Sequence, residues 1–197
     1  MPSERFANAI AAIDAANSAD PTLVSVRGRQ RQKELAHAEL VTDWVSRLTT
    51  NPSEVLLLAA RAHHIRRWEI PRSSHPSGRA GYLAWRRALH GHHAQIVTAL
   101  LTAEGYDADT VGGVADLVSK RRLGRDPDAQ ILEDAVCLVF LETQLSDLVP
   151  RLETEKLVQI LRKTLRKMSA PGIALAGDLP LDHRGRTLLA RALDDSD

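Results

Sequence analysis

The stretch EVLLLAARAHHIRRWEIPR, residues 54–72, decides how the rest of the chain is read. It begins as an apolar helix, reaches the adjacent histidines His63 and His64, and then breaks into arginines around Trp68. At about 100° per residue, His64 shares a direction with Leu57, Ala60 and Trp68, and His63 with Leu56, so both imidazoles leave an apolar surface. Burying two titratable rings side by side is costly unless each finds a hydrogen-bond partner or a metal. The stretch therefore reads as one wall of a site, and the other walls are sought on its neighbours.

Immediately before it, Asn51-Pro52-Ser53-Glu54 opens the helix, with the proline near the first turn where its missing N–H costs little. Residues 34–49 form an earlier helix that places His37 within a stripe of Leu40, Val41, Trp44 and Leu48. After Arg72 the sequence SSHPSGRAG, residues 73–81, has the composition of a loop and suits a flap over a site. A helix over residues 79–103 comes next, and His93 sits at the centre of its Tyr82, Arg86, Leu89, Ile96, Val97 and Leu100 face. His90 and His92 fall at the margins of that face.

Further out, a short helix over 109–119 leads into the basic turn SKRRLGR, and Asp126-Pro127 gives a strong helix start. The helix it starts, AQILEDAVCLVFLETQLSDLV over residues 129–149, is apolar nearly all round from Ile131 to Leu141, yet carries Glu133 and Asp134 in its middle. Two adjacent carboxylates in such a setting need cations nearby. Residues 152–168 are amphipathic, with Lys156, Arg162, Lys163, Arg166 and Lys167 on the outer face. An N-terminal helix over 3–17, the basic aperiodic stretch VRGRQRQKE read as a solvated loop, a Pro/Gly loop over 170–180, a last helix over 184–193 and the acidic DDSD tail complete the chain.

The totals agree with this reading. Across 197 residues, aromatics make up only 4% and β-branched runs are scarce, which favours helices over strands. The expected fold is all-α, a single-domain bundle of about seven to eight helices. Its parts are an N-terminal helix and basic loop (1–33), a core (34–168), and a C-terminal loop, short helix and acidic tail (169–197). A net charge of +1 does not point to nucleic acid or membrane, so any anion binding must come from locally clustered arginines. The lone cysteine, Cys137, excludes an internal disulfide. No leader-like segment or apolar run of roughly 18 residues is present, and a cytoplasmic location is expected.

The inward polar residues are therefore His37, His63, His64, His93, Glu133 and Asp134, from four successive long helices that can converge in a bundle. Imidazoles and a carboxylate are the ligand set of a divalent transition metal such as Mn, Fe, Ni or Zn. No Gly-Xaa-Ser-Xaa-Gly elbow, phosphate loop or dinucleotide fingerprint offers other chemistry. The competing reading is a structural ion-pair network in which Arg61, Arg66, Arg67, Arg72 and Arg86 neutralise the two acids.

The order His37, His63-His64, His93, Asp134 resembles the HD superfamily of all-α metal-dependent phosphohydrolases. That resemblance implies His37, His64 or His63, and Asp134 as metal ligands, with His93 as an extra ligand or phosphate contact. The chain departs from the pattern in carrying His-His where the superfamily has His-Asp, which removes a ligand unless Glu133 replaces it. A second resemblance spans nearly the whole chain: RFANAIAAIDAAN, AARAHHIRRWEIPRSSHP, GYLAWRRAL, QILEDAVCLVFLE and LRKTLRKMS are similar to the uncharacterised domain-of-unknown-function family 4202.

The expectation is a metal-dependent hydrolase of a phosphorylated small molecule, a nucleotide by preference. His37, His63, His64, His93 and Asp134 hold the metal, and Glu133 positions or deprotonates water. Arg66, Arg67, Arg72, Arg86 and Lys120 hold phosphate oxygens, and Trp68 stacks on a base. The alternative is a catalytically inactive module of the same body that holds an anionic ligand or an RNA end on its IRRWEIPR segment.

Overall fold

In the computed structural model, residues 3–26 and 28–194 are described. Arg27 of the basic stretch and the last three residues of the acidic tail lie outside them. Of the described residues 71% are helical and 4% lie in strands, so the all-α reading holds with one small addition. Helix α1 (Glu4–Ser18) leads to the antiparallel strands β1 (Leu23–Val26) and β2 (Arg29–Gln32), then to α2 (Lys33–Leu48) and α3 (Glu54–Ala62). After the turns Arg67–Glu69 and Arg72–Ser74 come α4 (Gly78–Ala103), α5 (Ala108–Val118) and α6 (Pro127–Thr143). The chain closes with α7 (Leu145–Leu148), α8 (Thr154–Leu165), α9 (Ala170–Gly177) and α10 (His183–Asp194).

Local chemistry sets most of these limits. Ser3, Ser53, Asp107, Asp126 and Ser169 each accept a hydrogen bond from a backbone N–H of the first turn they precede. Pro127 occupies the first turn of α6, where no intrahelical donor is lost. Helix α2 packs against α3 and α6, α3 against α1 and α5, and α4 against α5, while α8 and α10 form a pair. A connected apolar cluster runs from Ala9 and Ile13 through Val41, Leu56, Leu58, Leu138 and Leu161 to Leu188 and Ala192. Each fully buried leucine of that cluster contributes about 1.5–3 kcal/mol relative to exposure. Among the described residues, no helix is long and apolar enough to cross a membrane.

Three expectations need correction. The basic stretch after Pro21 is not a free loop but pairs Leu23–Val26 with Arg29–Gln32 around Gly28, which takes φ 78°. Residues 170–177 are helical rather than a Pro/Gly loop, because Pro171 sits in a first turn that needs no donor. The long helix after Asp126 breaks at Gln144, and with α9 this makes the helices more numerous than seven or eight. The loop expected over 73–81 ends at 77, since 78–81 already belong to α4, and it is also tied down. Arg72 donates to the carbonyls of His75 and Pro76 at 2.9 and 2.8 Å, and a side chain on Gly81 would meet Pro76 O at 2.0 Å.

Helix α9 is anchored by Asp134. Its carboxylate accepts the Ser169 N–H at 2.8 Å, the Ser169 hydroxyl, and Gln130 Nε2 at 3.0 Å, and its Cγ would lie 2.8 Å from a β-carbon on Gly172. Asp134 is 2% exposed, so these neutral donors and the helix N-terminus stabilise a buried carboxylate. Asp134→Ala is expected to destabilise the protein by about 2–4 kcal/mol, read in denaturant unfolding, because buried donors lose a charged acceptor. Metal content should be unchanged.

Candidate functional site

The helix that begins at Glu54 stops at Ala62. His63 keeps helical φ −50° and ψ −39° as its C-cap, Ile65 N–H bonds to Ala62 O at 3.0 Å, and Arg66 turns the chain at φ 51°. Asn17 of α1 secures the turn by accepting Arg66 N–H at 3.1 Å. The two rings then stack on each other with centroids 4.4 Å apart.

His37, from the second turn of α2, stacks on His64 at 4.4 Å and lies 6.1 Å from His63. One nitrogen from each of these three rings falls within 4.8 Å of the others. His93 closes the group from α4, its ring 5.9 Å from His64 and its Nδ1–H donated to Ile65 O at 2.8 Å. Among the described residues, His37 Nε2, His63 Nδ1 and His93 Nε2 are buried without a hydrogen-bond partner. Burial lowers all four imidazole pKa values: His37 and His93 to about 4, and His63 and His64 well below their ordinary value. Neighbouring rings deepen the effect at His63 and His64. The rings are therefore neutral near pH 7. Such orphaned nitrogens fit a soft or borderline cation.

The cluster forms the floor of a cavity of about 320 Å³. Tyr82, Trp85, Arg86, Leu89 and His90 of α4 line one side, and Arg67 stands at the His64 end. Lys120, Glu133, Val136, Cys137, Phe140 and Gln144 line the other, with Thr164 and Lys167 beyond. Glu133 is 3% exposed, its Oε2 bonded by Lys120 and its Oε1 3.4 Å from Lys167 Nζ. Burial raises its pKa, but the Lys120 ammonium and then Lys167 outweigh that and hold it below the usual carboxylate range. Arg67 also lies over the Trp85 ring at 4.9 Å.

The expected residues thus separate into two groups. His37, His63, His64, His93, Arg67, Arg86, Lys120 and Glu133 share the cavity. Asp134, Arg66, Trp68 and Arg72 are not among its lining residues. Asp134 points to Ser169, Arg66 pairs with Glu69 at 2.8 Å, and Arg72 is spent on the 75–76 carbonyls. Trp85, its Nε1–H given to Ile70 O at 2.9 Å, takes the place beside the arginines expected for Trp68. Sequence reasoning also missed Glu34 and Lys167. Glu34 precedes His37 by three positions, a spacing that brings them to neighbouring directions on α2. Lys167 lies beyond the end of α8, so the helical period that placed it outside no longer applies.

The site is a nest of neutral imidazoles beneath a cleft in which Arg67, Arg86, Lys120 and Lys167 outnumber Glu133. The model of a domain of unknown function, DUF4202, matches residues 7–189, and the chain belongs to that family. No curated protein and no solved structure matches it.

Lys120 offers a test of the cleft. It holds φ 58° at the end of α5, with its N–H bonded to Leu117 O and Arg121 N–H to Asp116 O, the Schellman pattern in which glycine is usual. Lys120→Ala and Lys120→Gly both remove the ammonium from Glu133, but only glycine relieves the backbone. The glycine variant should be the more stable of the two by about 1 kcal/mol in denaturant unfolding, with both below the unsubstituted protein.

Proposed function

We propose that this chain is a metal-dependent hydrolase acting on a phosphorylated small molecule, with an HD-like arrangement of its ligands. The observation that carries the reading is the set of orphaned nitrogens of His37 and His63 beside His64, under a cationic cleft. Those three histidines would hold a divalent transition metal, Mn, Fe, Ni or Zn, with His93 next to them. When bound, such a cation supplies Lewis acidity and activates water near neutral pH.

The chain's own residues then divide the remaining work. Arg67, Arg86, Lys120 and Lys167 bind the oxygens of the anion, the arginines in planar, paired contacts. Glu133 positions the two lysines, since an ionised carboxylate between two ammonium groups is a weak proton acceptor. Tyr82 and Trp85 flank the cleft and suit a flat, base-like moiety on the substrate, which supports a nucleotide.

The anion-binding module without catalysis stays as the second reading because Asp134 is turned away to Ser169, and Glu133 of the same helix is held by Lys120 and Lys167. In that reading the anion sits on Arg67 and Arg86 rather than on Arg66 and Arg72.

Metal analysis of protein purified without a histidine tag tests the proposal. About one equivalent of transition metal is expected, falling sharply in His37→Ala and His63→Ala. Added manganese, iron, nickel or zinc should raise the melting temperature of the stripped protein, by about 2.7 kcal/mol of stabilisation at one hundred times Kd. Stripped protein that neither regains metal nor shifts on melting would remove the hydrolase reading. Retained pyrophosphate binding, weakened in Arg67→Ala and Arg86→Ala, would then leave the second.

A further inference from the structure

One buried carboxylate joins the histidine nest to the cationic rim. Glu34, 4% exposed in the first turn of α2, places Oε2 3.3 Å from His64 Nδ1 and Oε1 3.8 Å from Arg67 Nε. Its own backbone is fixed as well: Glu34 N–H donates to Asp20 Oδ2 at 3.0 Å, while Asp20 Oδ1 accepts Thr22 N–H at 2.8 Å. Asp20 is itself buried, at 5% exposure. The carboxylate therefore sits on a rigid base at a helix N-terminus, where the dipole favours negative charge.

A neutral imidazole carries its proton on one nitrogen, and the partner of that nitrogen decides which one remains free. His93 shows the pattern next door, with Nδ1–H given to Ile65 O and Nε2 left bare. At His64 the acceptor that stands beside Nδ1 is the Glu34 carboxylate. A carboxylate behind an imidazole orients the ring, fixes its tautomer and raises its basicity toward a cation in front.

We propose that Glu34 is a positioning residue for the metal centre, holding His64 with Nδ1 protonated and Nε2 free to ligate, while its other oxygen keeps Arg67 at the rim for the anion. This rests on the metal-binding reading of the three histidines. It makes Glu34 the physical link between cation and anion subsites, so one substitution should disturb both. A carboxylate that merely neutralises Arg67 would not control the His64 tautomer.

Two measurements test it. In the metal-free, unsubstituted protein with ¹⁵N-labelled histidine, long-range ¹H–¹⁵N spectra near neutral pH should show His64 as the Nδ1–H tautomer. The Nε2–H tautomer overturns the proposal whether or not any variant folds. Cobalt(II) titration monitored by visible absorption should then show Glu34→Gln binding about 10–100-fold more weakly than the unsubstituted chain, with altered bands. Inorganic phosphate binding should weaken in Glu34→Gln as in Arg67→Gln, while Arg67→Gln affects cobalt far less. Cobalt binding by Glu34→Gln with the affinity and spectrum of the unsubstituted protein sinks this inference alone. Failure of the unsubstituted chain to bind cobalt sinks the metal reading and this inference with it.

Discussion

The site depends on the turn that follows Ala62, where the chain leaves the helix and its backbone groups become available to helices α1 and α4. The left-handed turn at Arg66 is held by Asn17 from α1, and the Ile65 carbonyl exposed by the turn is taken by His93 from α4. Helix α2 adds His37, stacked on His64. Helices distant in sequence thus converge because a helix terminus, with its unpaired backbone groups, offers hydrogen bonds that a helix interior has already used.

The electrostatics come from how few acids reach the cavity. Buried charges persist when each is matched, and breaking such a match costs about 3–5 kcal/mol. Glu34 lies between His64 and Arg67, and Glu133 between Lys120 and Lys167, so each carboxylate steadies two basic groups. Arg86 adds a further cation to the wall. The cleft is therefore cationic around a neutral floor, an arrangement that attracts an anion to the rim while leaving imidazole lone pairs free below. Cys137 faces the same space but, with burial and Glu133 pushing its thiol up to about 11, takes no part as a thiolate.

Much of this is legible in the residues, for identifiable reasons. The period of α4 puts His93 at the centre of its buried face, and the structure leaves it 2% exposed with Tyr82, Arg86 and Leu89 on the same cavity. The same rule turns His37 inward, while the 63–64 pair lies just past the end of its helix and reaches the same cavity. It fails for Asp134, because the helical period shows that a residue is buried but not which neighbour it meets. That neighbour is Ser169, 35 positions away on a helix that the Pro/Gly composition of 170–177 disguises. For Arg66, Trp68 and Arg72 the reason is related: beyond Ala62 the chain runs through turns with no period, and proximity in sequence to the histidines stops implying proximity in space.

Strain gives an independent line on where the function lies. Among the described residues, glycine takes most positive-φ positions, as at Gly28, Gly78, Gly105 and Gly124, and the two exceptions are Arg66 and Lys120. One sets the turn that follows His63 and His64, and the other delivers an ammonium to Glu133. Each left-handed residue costs about 1–2 kcal/mol that glycine would avoid. The same small region holds the orphaned imidazole nitrogens and the buried Glu34 and Glu133. Locally consistent sequences tend to break their own rules at functional sites, and here unpartnered rings, a left-handed lysine and the buried Glu133 line one cavity, with Glu34 against His64 and Arg67 and the left-handed Arg66 next to Arg67 in the chain. A core selected for stability alone would satisfy them or replace them with apolar side chains, and their concentration beside one cavity is the physical ground of the binding proposed for it.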